Sequence, residues 1–373
     1  MLSPPHELYR IARKISRGER LDAADGEAMF AAGDIHALGS LADEVRRRRH
    51  GDAAYYNVNR HINYTNQCVL ACLFCGFRRS PGEADATEMT IEDIAAAARH
   101  AAENGATEVH LTGGLHPKWK IDYYEAMLRS IRRCAPTLHI KAFTAVEIAH
   151  FARLSGISVR DALGRLIAAG LDSLPGGGAE IFDERVHAKA FRHKMGAEDW
   201  FDVHRTAHRM GLPSNATMLY GHVETPAERV RHMLRLRELQ DETAGFQAFV
   251  PLSFVPTLTA LSHLGGPTGL DDVRTIAVSR LLLDNIPHIK TFWVMQTLKL
   301  SQVALHFGAD DIDGTVARYQ ITAAGGSADQ EQEVDAAQMR RIITEAGFVP
   351  MERDSLYRPV DRGAAPGPPQ QAT

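Results

Sequence analysis

Cysteine is scarce in this chain: four residues in 373. A disulfide framework is thereby excluded, and clustering within so sparse a set points to a metal or redox role in a reducing compartment. Long apolar runs are missing too. No stretch approaches the roughly 20 apolar residues that span a bilayer. The opening MLSPPHELYRIARKIS is broken by charge and proline before a signal-peptide core forms. A cytoplasmic location is therefore expected. Nor is there an excess of basic charge: 42 Lys and Arg against 46 Asp and Glu leave −4, which argues against a broad nucleic-acid footprint. The one dense basic run, Arg46 to Arg49, reads as a solvated helix end rather than a phosphate or membrane patch. Hydrophobic residues, at 45%, suffice for one large α/β domain or two smaller ones.

Residues 1–54 read as a helical extension, with apolar residues at helical spacing in HELYRIARKISRGE, DAADGEAMFAAG and IHALGSLADEVRRRRHG. Asp22 is a plausible N-cap, although Asp25 stands where a capping box has Glu or Gln. Over residues 55–360 short β-prone runs alternate with amphipathic helical ones. The strands are VNRHINY, TEVHLTG, LHIKAFT, LDSLPG, SNATMLYG, FQAFVPLSF, IKTFWVM and ALHFGADD. Gly105, Gly170 and Gly211 end helical stretches, as left-handed C-caps do. Strand then helix, about eight times over, predicts an α/β fold of the (β/α)8 TIM-barrel type. An open doubly wound sheet shares the local rhythm, and the repeat count favours the barrel. The tail 361–373, rich in proline and glycine, is expected to be disordered.

Three of the four cysteines lie in HINYTNQCVLACLFCGFRR, as Cys68, Cys72 and Cys75. Structural zinc takes four ligands in two close pairs. Here there is a triplet, with Cys134 far away in a helical stretch and His61 on the preceding strand as candidate fourth ligands. An iron–sulfur cluster held by three thiolates is the better account, because it leaves one iron open to a small molecule. The triplet follows the first strand, at the barrel end where such enzymes place their chemistry.

At these residues the chain resembles the radical S-adenosylmethionine (SAM) superfamily, whose C-x3-C-x-aromatic-C signature reads here Cys68-Val-Leu-Ala-Cys72-Leu-Phe74-Cys75. The resemblance implies a [4Fe–4S] cluster whose open iron is chelated by the methionine part of SAM, with the electron supplied by a donor such as flavodoxin or ferredoxin. It also implies that Gly113 and Gly114, in LTGGLHP after the second strand, contact the SAM amino group.

In LPGGGAE, Gly176 to Gly178 precede Glu180, whose carboxylate suits a ribose diol; the GK[ST] ending of a phosphate loop is absent. A first-turn helix position is the plainer reading of Glu180. His116, in the loop after the second strand, and His222, at a strand end, are candidate catalytic residues. SNATMLYGHVET lies where superfamily members place an element against the adenine. HRTAH has the spacing of a helical metal pair but lacks the glutamate of HExxH, so His204 and His208 read as surface or core. Lys141 and Lys290 stand on strands, where a lysine is unexpected unless it reaches solvent or an anion. The stretches GGLHP, IKAFTAVE, LPGGGAEIFDE, HRTAH and SNATMLYGHVET resemble the aminofutalosine synthase family of menaquinone biosynthesis over roughly residues 20–355. That family adds the adenosyl group of SAM to the aromatic dicarboxylate 3-[(1-carboxyvinyl)oxy]benzoate. The sister cyclase, cyclic dehypoxanthinyl futalosine synthase, is the alternative within the pathway, and a zinc-stabilised binding module the alternative outside it.

Overall fold

The computed structural model describes residues 5–316, 321 and 333–362. Parallel staves close around one interior. The first stave is broken at Val58 into β1 (Ala53–Asn57) and β2 (Asn59–Ile62). Next to β2 come β3 (Glu108–Leu111) and β4 (His139–Ala142), in parallel register. The fourth stave is reduced to two bridges, Ser173 with Lys141 and Leu174 with Ser214. Then follow β5 (Ser214–Tyr220), β6 (Phe246–Ser253) and the short β7 (His288–Ile289). Lys290 bridges to Asp311, the first residue of β8 (Asp311–Gly314). The ring closes because β8 pairs with β1, and because the amides of Thr315 and His61 donate to Asn57 O and Val316 O, both at 3.1 Å. The expected (β/α)8 barrel is what forms.

The helices start where short polar side chains satisfy free amides. Thr144 and Thr225 head capping boxes with Glu147 and Glu228, while Thr90, Ser158 and Thr268 cap through their hydroxyls. Asp22 also caps, and Asp25 completes its box despite being one carbon shorter than Glu. Gly105, Gly170 and Gly211 all take positive φ just past helix ends, as their positions predict. Three helices precede the barrel, Pro5–Ser16, Ala23–Ala31 and Ile35–His50. The third packs on the barrel helix Gly269–Leu282. No helix among the described residues is long and apolar enough to cross a membrane.

Several expectations are corrected. LDSLPG forms bridges rather than a strand, since Pro175 and the following glycines stop the ladder. In ALHFGADD the chain is helical to Ala304 and turns through Leu305–Phe307; Gly308, at φ 99°, reverses it before β8 begins. A ninth strand, Val349–Glu352, flanks β1 in parallel. The run Arg46 to Arg49 is a solvated helix end at Arg47 and Arg48, as expected, but not at Arg46. Arg46 is buried against Asp43, Ala53 O and the Phe348 ring, and Arg49 donates to Asp284 O and Ile286 O, stitching helix to barrel. By contrast, the surface-or-core expectation for His204 and His208 holds: His204 is buried, His208 half-buried, and both rings share the Ser214 hydroxyl. Of the expected tail, 363–373 lie outside the described residues; Arg362 donates to Gly105 O at 2.7 Å and pairs with Glu352.

Candidate active site

The segment leaving β2 carries the three cysteines across the C-terminal mouth of the barrel, and backbone bonds fix it from several sides. Cys68 N–H donates to Arg79 O at 3.0 Å, Val69 N–H to Leu115 O at 3.1 Å and Leu73 N–H to Ala190 O at 2.9 Å. The Arg78 guanidinium closes the loop on Leu70 O at 2.7 Å. One further bond of the loop reaches a sulfur: Leu70 N–H donates to Cys68 Sγ at 3.4 Å. All three cysteines line a cavity of about 290 Å³ that runs down into the barrel.

The donor set fits an iron–sulfur cluster. Burial pushes the Cys72 thiol up to about 12 and raises Cys75 as well. Such thiols stay protonated at neutral pH unless a metal takes the sulfur. A single tetrahedral zinc, with Zn–S bonds of about 2.3 Å, would bring its sulfurs within roughly 3.8 Å of one another. Among the described residues the cysteines do not form a set of three donors within 4.8 Å; His50, His288 and Asp310 do. The cysteine spread suits a cluster in which each thiolate holds its own iron. The His50–His288–Asp310 group is an ion-pair knot instead. Asp310 is already taken by Arg280, by His288 at 2.5 Å and by the Ile289 amide at 2.8 Å. Cys134 sits on the helix Ile121–Cys134, its thiol donating to Ala95 O and Ile131 O.

Gly113 and Gly114 lie beside the cysteine loop, on the cavity wall. Their turn is held by Glu147, a residue that did not stand out in the sequence. Its carboxylate accepts from Gly113 N at 3.1 Å, Thr112 Oγ1 at 3.1 Å, Thr144 N at 2.7 Å and the Tyr64 hydroxyl. Burial raises its pKa against these bonds. The capping pattern T-x-x-E in FTAVE was the available signal, and it announced a helix start rather than a site.

Glu180 also lines the cavity, with its backbone at φ 48°, a conformation that costs a non-glycine residue free energy and persists where surroundings enforce it. Its carboxylate pairs with Lys194, again unmarked by the sequence. The Lys194 ammonium stands 5.4 Å from the Phe74 ring centroid. Burial opposes its charge, but Glu180 and the Cys72 sulfur outweigh that and raise its pKa.

The two candidate histidines and the two strand lysines divide. His116 and His222 are absent from the cavity wall. His116 Nε2 faces Glu88 at 2.9 Å, and its Nδ1 accepts the Trp119 amide at 3.1 Å. His222 bonds Leu219 O at 3.0 Å and stacks on Phe74 between two of the cysteines. Both support the site from behind. Lys141 and Lys290 do line the cavity, each with a carboxylate: Glu108 at 2.5 Å and Asp313 at 2.7 Å.

Residues 62–236 match the model of the radical SAM superfamily, and residues 243–365 that of the CofH/MqnC C-terminal region. The chain is 44% identical to an aminodeoxyfutalosine synthase of Streptomyces coelicolor, over 96% of this chain and 95% of that protein. It is 45% identical to the Thermus thermophilus enzyme of the same name, over 95% and 96%. A 5-amino-6-(D-ribitylamino)uracil–L-tyrosine 4-hydroxyphenyl transferase of Methanopyrus kandleri is 40% identical over 94% and 95%. The solved methylornithine synthase structure superposes with a TM-score of 0.74 over 91% of this chain and 97% of that one, at 17% identity, which speaks to the barrel alone. This chain therefore belongs to the radical SAM superfamily, in the family of the aminodeoxyfutalosine synthases, and its cofactors are a [4Fe–4S] cluster and SAM.

Proposed function

We propose that this enzyme joins the 5′-deoxyadenosyl group of SAM to the enol ether of 3-[(1-carboxyvinyl)oxy]benzoate, giving 6-amino-6-deoxyfutalosine with methionine and bicarbonate, in menaquinone biosynthesis. The observation that carries this reading is the 44–45% identity to the named synthases over nearly the whole chain. A cyclic dehypoxanthine futalosine synthase stands at 35%. When bound, the cluster and SAM supply reductive cleavage of the sulfonium to methionine and a 5′-deoxyadenosyl radical.

The chain's own residues position and enclose. Cys68, Cys72 and Cys75 would hold three irons. The Gly113–Gly114 turn, braced by Glu147, would bring backbone to the SAM amino group, and Glu180, oriented by Lys194, would accept from the ribose diol. All of these line or brace one cavity. Deeper in, Lys141 and Lys290 would face the two substrate carboxylates. Phe254, Leu252 and Phe292 add apolar wall that excludes water around them. We further propose a cytoplasmic location and a flavodoxin- or ferredoxin-type electron donor. Val69 and Leu73, 48% and 41% exposed on the cysteine loop, offer that donor an approach.

Anaerobic incubation of the reconstituted enzyme with SAM, reductant and the enol-ether substrate tests the assignment. An adenosyl adduct of the expected mass supports it. Turnover of the sister cyclase's substrate to a ring-closed product, or arylation of a ribitylaminouracil by tyrosine, would move the chain to one of its other relatives.

A further inference from the structure

The barrel register lays a polar row across the cavity floor. His61 on β2 is paired with His110 on β3, and His110 with Lys141 on β4. Residues in register project to the same face of a parallel sheet, so these side chains converge. The His61 and His110 rings stand with centroids 4.4 Å apart. Glu108, two positions before His110 and so on the same face, holds Lys141. From the other side Lys290 holds Asp313. All six residues line the cavity.

Charge counting exposes a deficit. Two lysines and two carboxylates sum to zero, and the neighbouring Arg353–Asp311 pair, at 2.6 Å, also sums to zero. Among the described residues, then, a ligand with two carboxylates would meet a buried floor whose side-chain charges cancel, and burying uncompensated charge is expensive. The imidazoles are the groups on this floor that gain a positive charge by accepting a proton.

We propose that His61 and His110 are substrate-recognition residues, converted to imidazolium as the dicarboxylate binds, so that the ligand enters with about one to two protons drawn from solvent, up to one per ring. This rests on the reading of the ligand as a dicarboxylate. The free protein is poised for uptake. Burial holds His61 down at about 4, with Lys141 and Lys290 adding to it against Asp313 and Glu108. Burial, then His61 and Lys141, hold His110 well below the ordinary imidazole value, against Glu108 and Asp313. Both rings are thus neutral at pH 7 until anions arrive. The sequence carried a trace of this row: RHI, VHL and IKA each place an imidazole or an ammonium at the middle position of the triplet.

The test is calorimetric titration of 3-[(1-carboxyvinyl)oxy]benzoate into anaerobic holoenzyme with SAM and no reductant, at pH 7.5, in buffers of differing ionisation enthalpy. Binding heats that change with buffer, giving about one to two protons per ligand, are expected, with Kd weakening up to about tenfold per pH unit per proton as pH rises. The His61→Gln/His110→Gln variant should lose the buffer dependence while keeping cluster absorbance and SAM binding. Should the pair not fold, each single variant should lose part of the uptake. Identical heats in every buffer with wild-type protein overturn the inference and leave the dicarboxylate reading standing. Uptake that persists in the variants overturns the assignment to these rings. Absence of binding at every pH removes the substrate reading, and the inference with it.

Discussion

A Cβ on Gly114 would stand 2.2 Å from the Gln67 carbonyl oxygen and 3.1 Å from the Cys68 Cβ. The glycine turn and the cysteine loop are thus in backbone contact, and the second glycine is a steric requirement of the first cysteine's position. Gly114→Ala must push Gln67 and Cys68 aside, because backbone cannot yield as a flexible side chain does. Iron content and visible absorbance of reconstituted protein should fall severalfold. Gly196→Ala, whose Cβ would meet nothing within 4 Å, should load normally.

Cluster assignment makes a stoichiometric prediction. Wild-type protein should bind about four irons and four sulfides per chain. Alanine at Cys68, Cys72 or Cys75 should abolish both the absorbance and SAM cleavage, whereas Cys134→Ala, on a helix away from the cavity, should change neither. One zinc per chain, or SAM cleavage by the Cys72→Ala variant, would reject the cluster.

Lys141 and Glu108 form a buried pair on neighbouring strands, 4% and 2% exposed. Lys141→Ala leaves the carboxylate buried without its partner, at a cost of about 3–5 kcal/mol. A large drop in Tm should accompany a raised KM. Pairing Lys141→Met with Glu108→Gln should recover most of the Tm without restoring KM, which separates folding from substrate binding. Wild-type KM in both Lys141→Ala and Lys290→Ala would end the carboxylate-binding role of the lysines.

Stability should fall in mild acid. His232 is fully buried, accepts from Phe182 N at 3.2 Å through Nδ1 and donates to Thr217 O at 2.9 Å through Nε2, an arrangement only the neutral ring satisfies. Burial, set against the Thr217 bond, lowers its pKa to about 3. The unfolded imidazole titrates near 6.5, so below that the unfolded chain binds the extra proton. Its contribution is then whole above about pH 6.5 and shrinks by about 1.4 kcal/mol per pH unit on the way down to 3. Denaturant midpoints at pH 7.5, 6 and 5 should decline, and His232→Gln should flatten that decline.

What was legible in the sequence was set by local rules. Strand–helix alternation gave the barrel, short polar residues gave the caps at Thr144 and Thr225, and three cysteines within one loop gave the chemistry, because ligand spacing on a loop is local geometry. Glu147, Lys194, Glu108 and His110 were not legible as site residues. Each acts across strands or loops far apart in the chain: Glu147 on Gly113, 34 positions back, and Glu108 on Lys141, 33 positions on. His116 and His222 looked catalytic for the same reason in reverse. A histidine at or just past a strand end can face the cavity or the layer behind it, and loop packing settles which. The sequence by itself determined the fold class and the cofactor chemistry. Only the tertiary structure decided which polar groups meet in the cavity, since register across parallel strands, and not spacing along the chain, brings His61, His110 and Lys141 into one row.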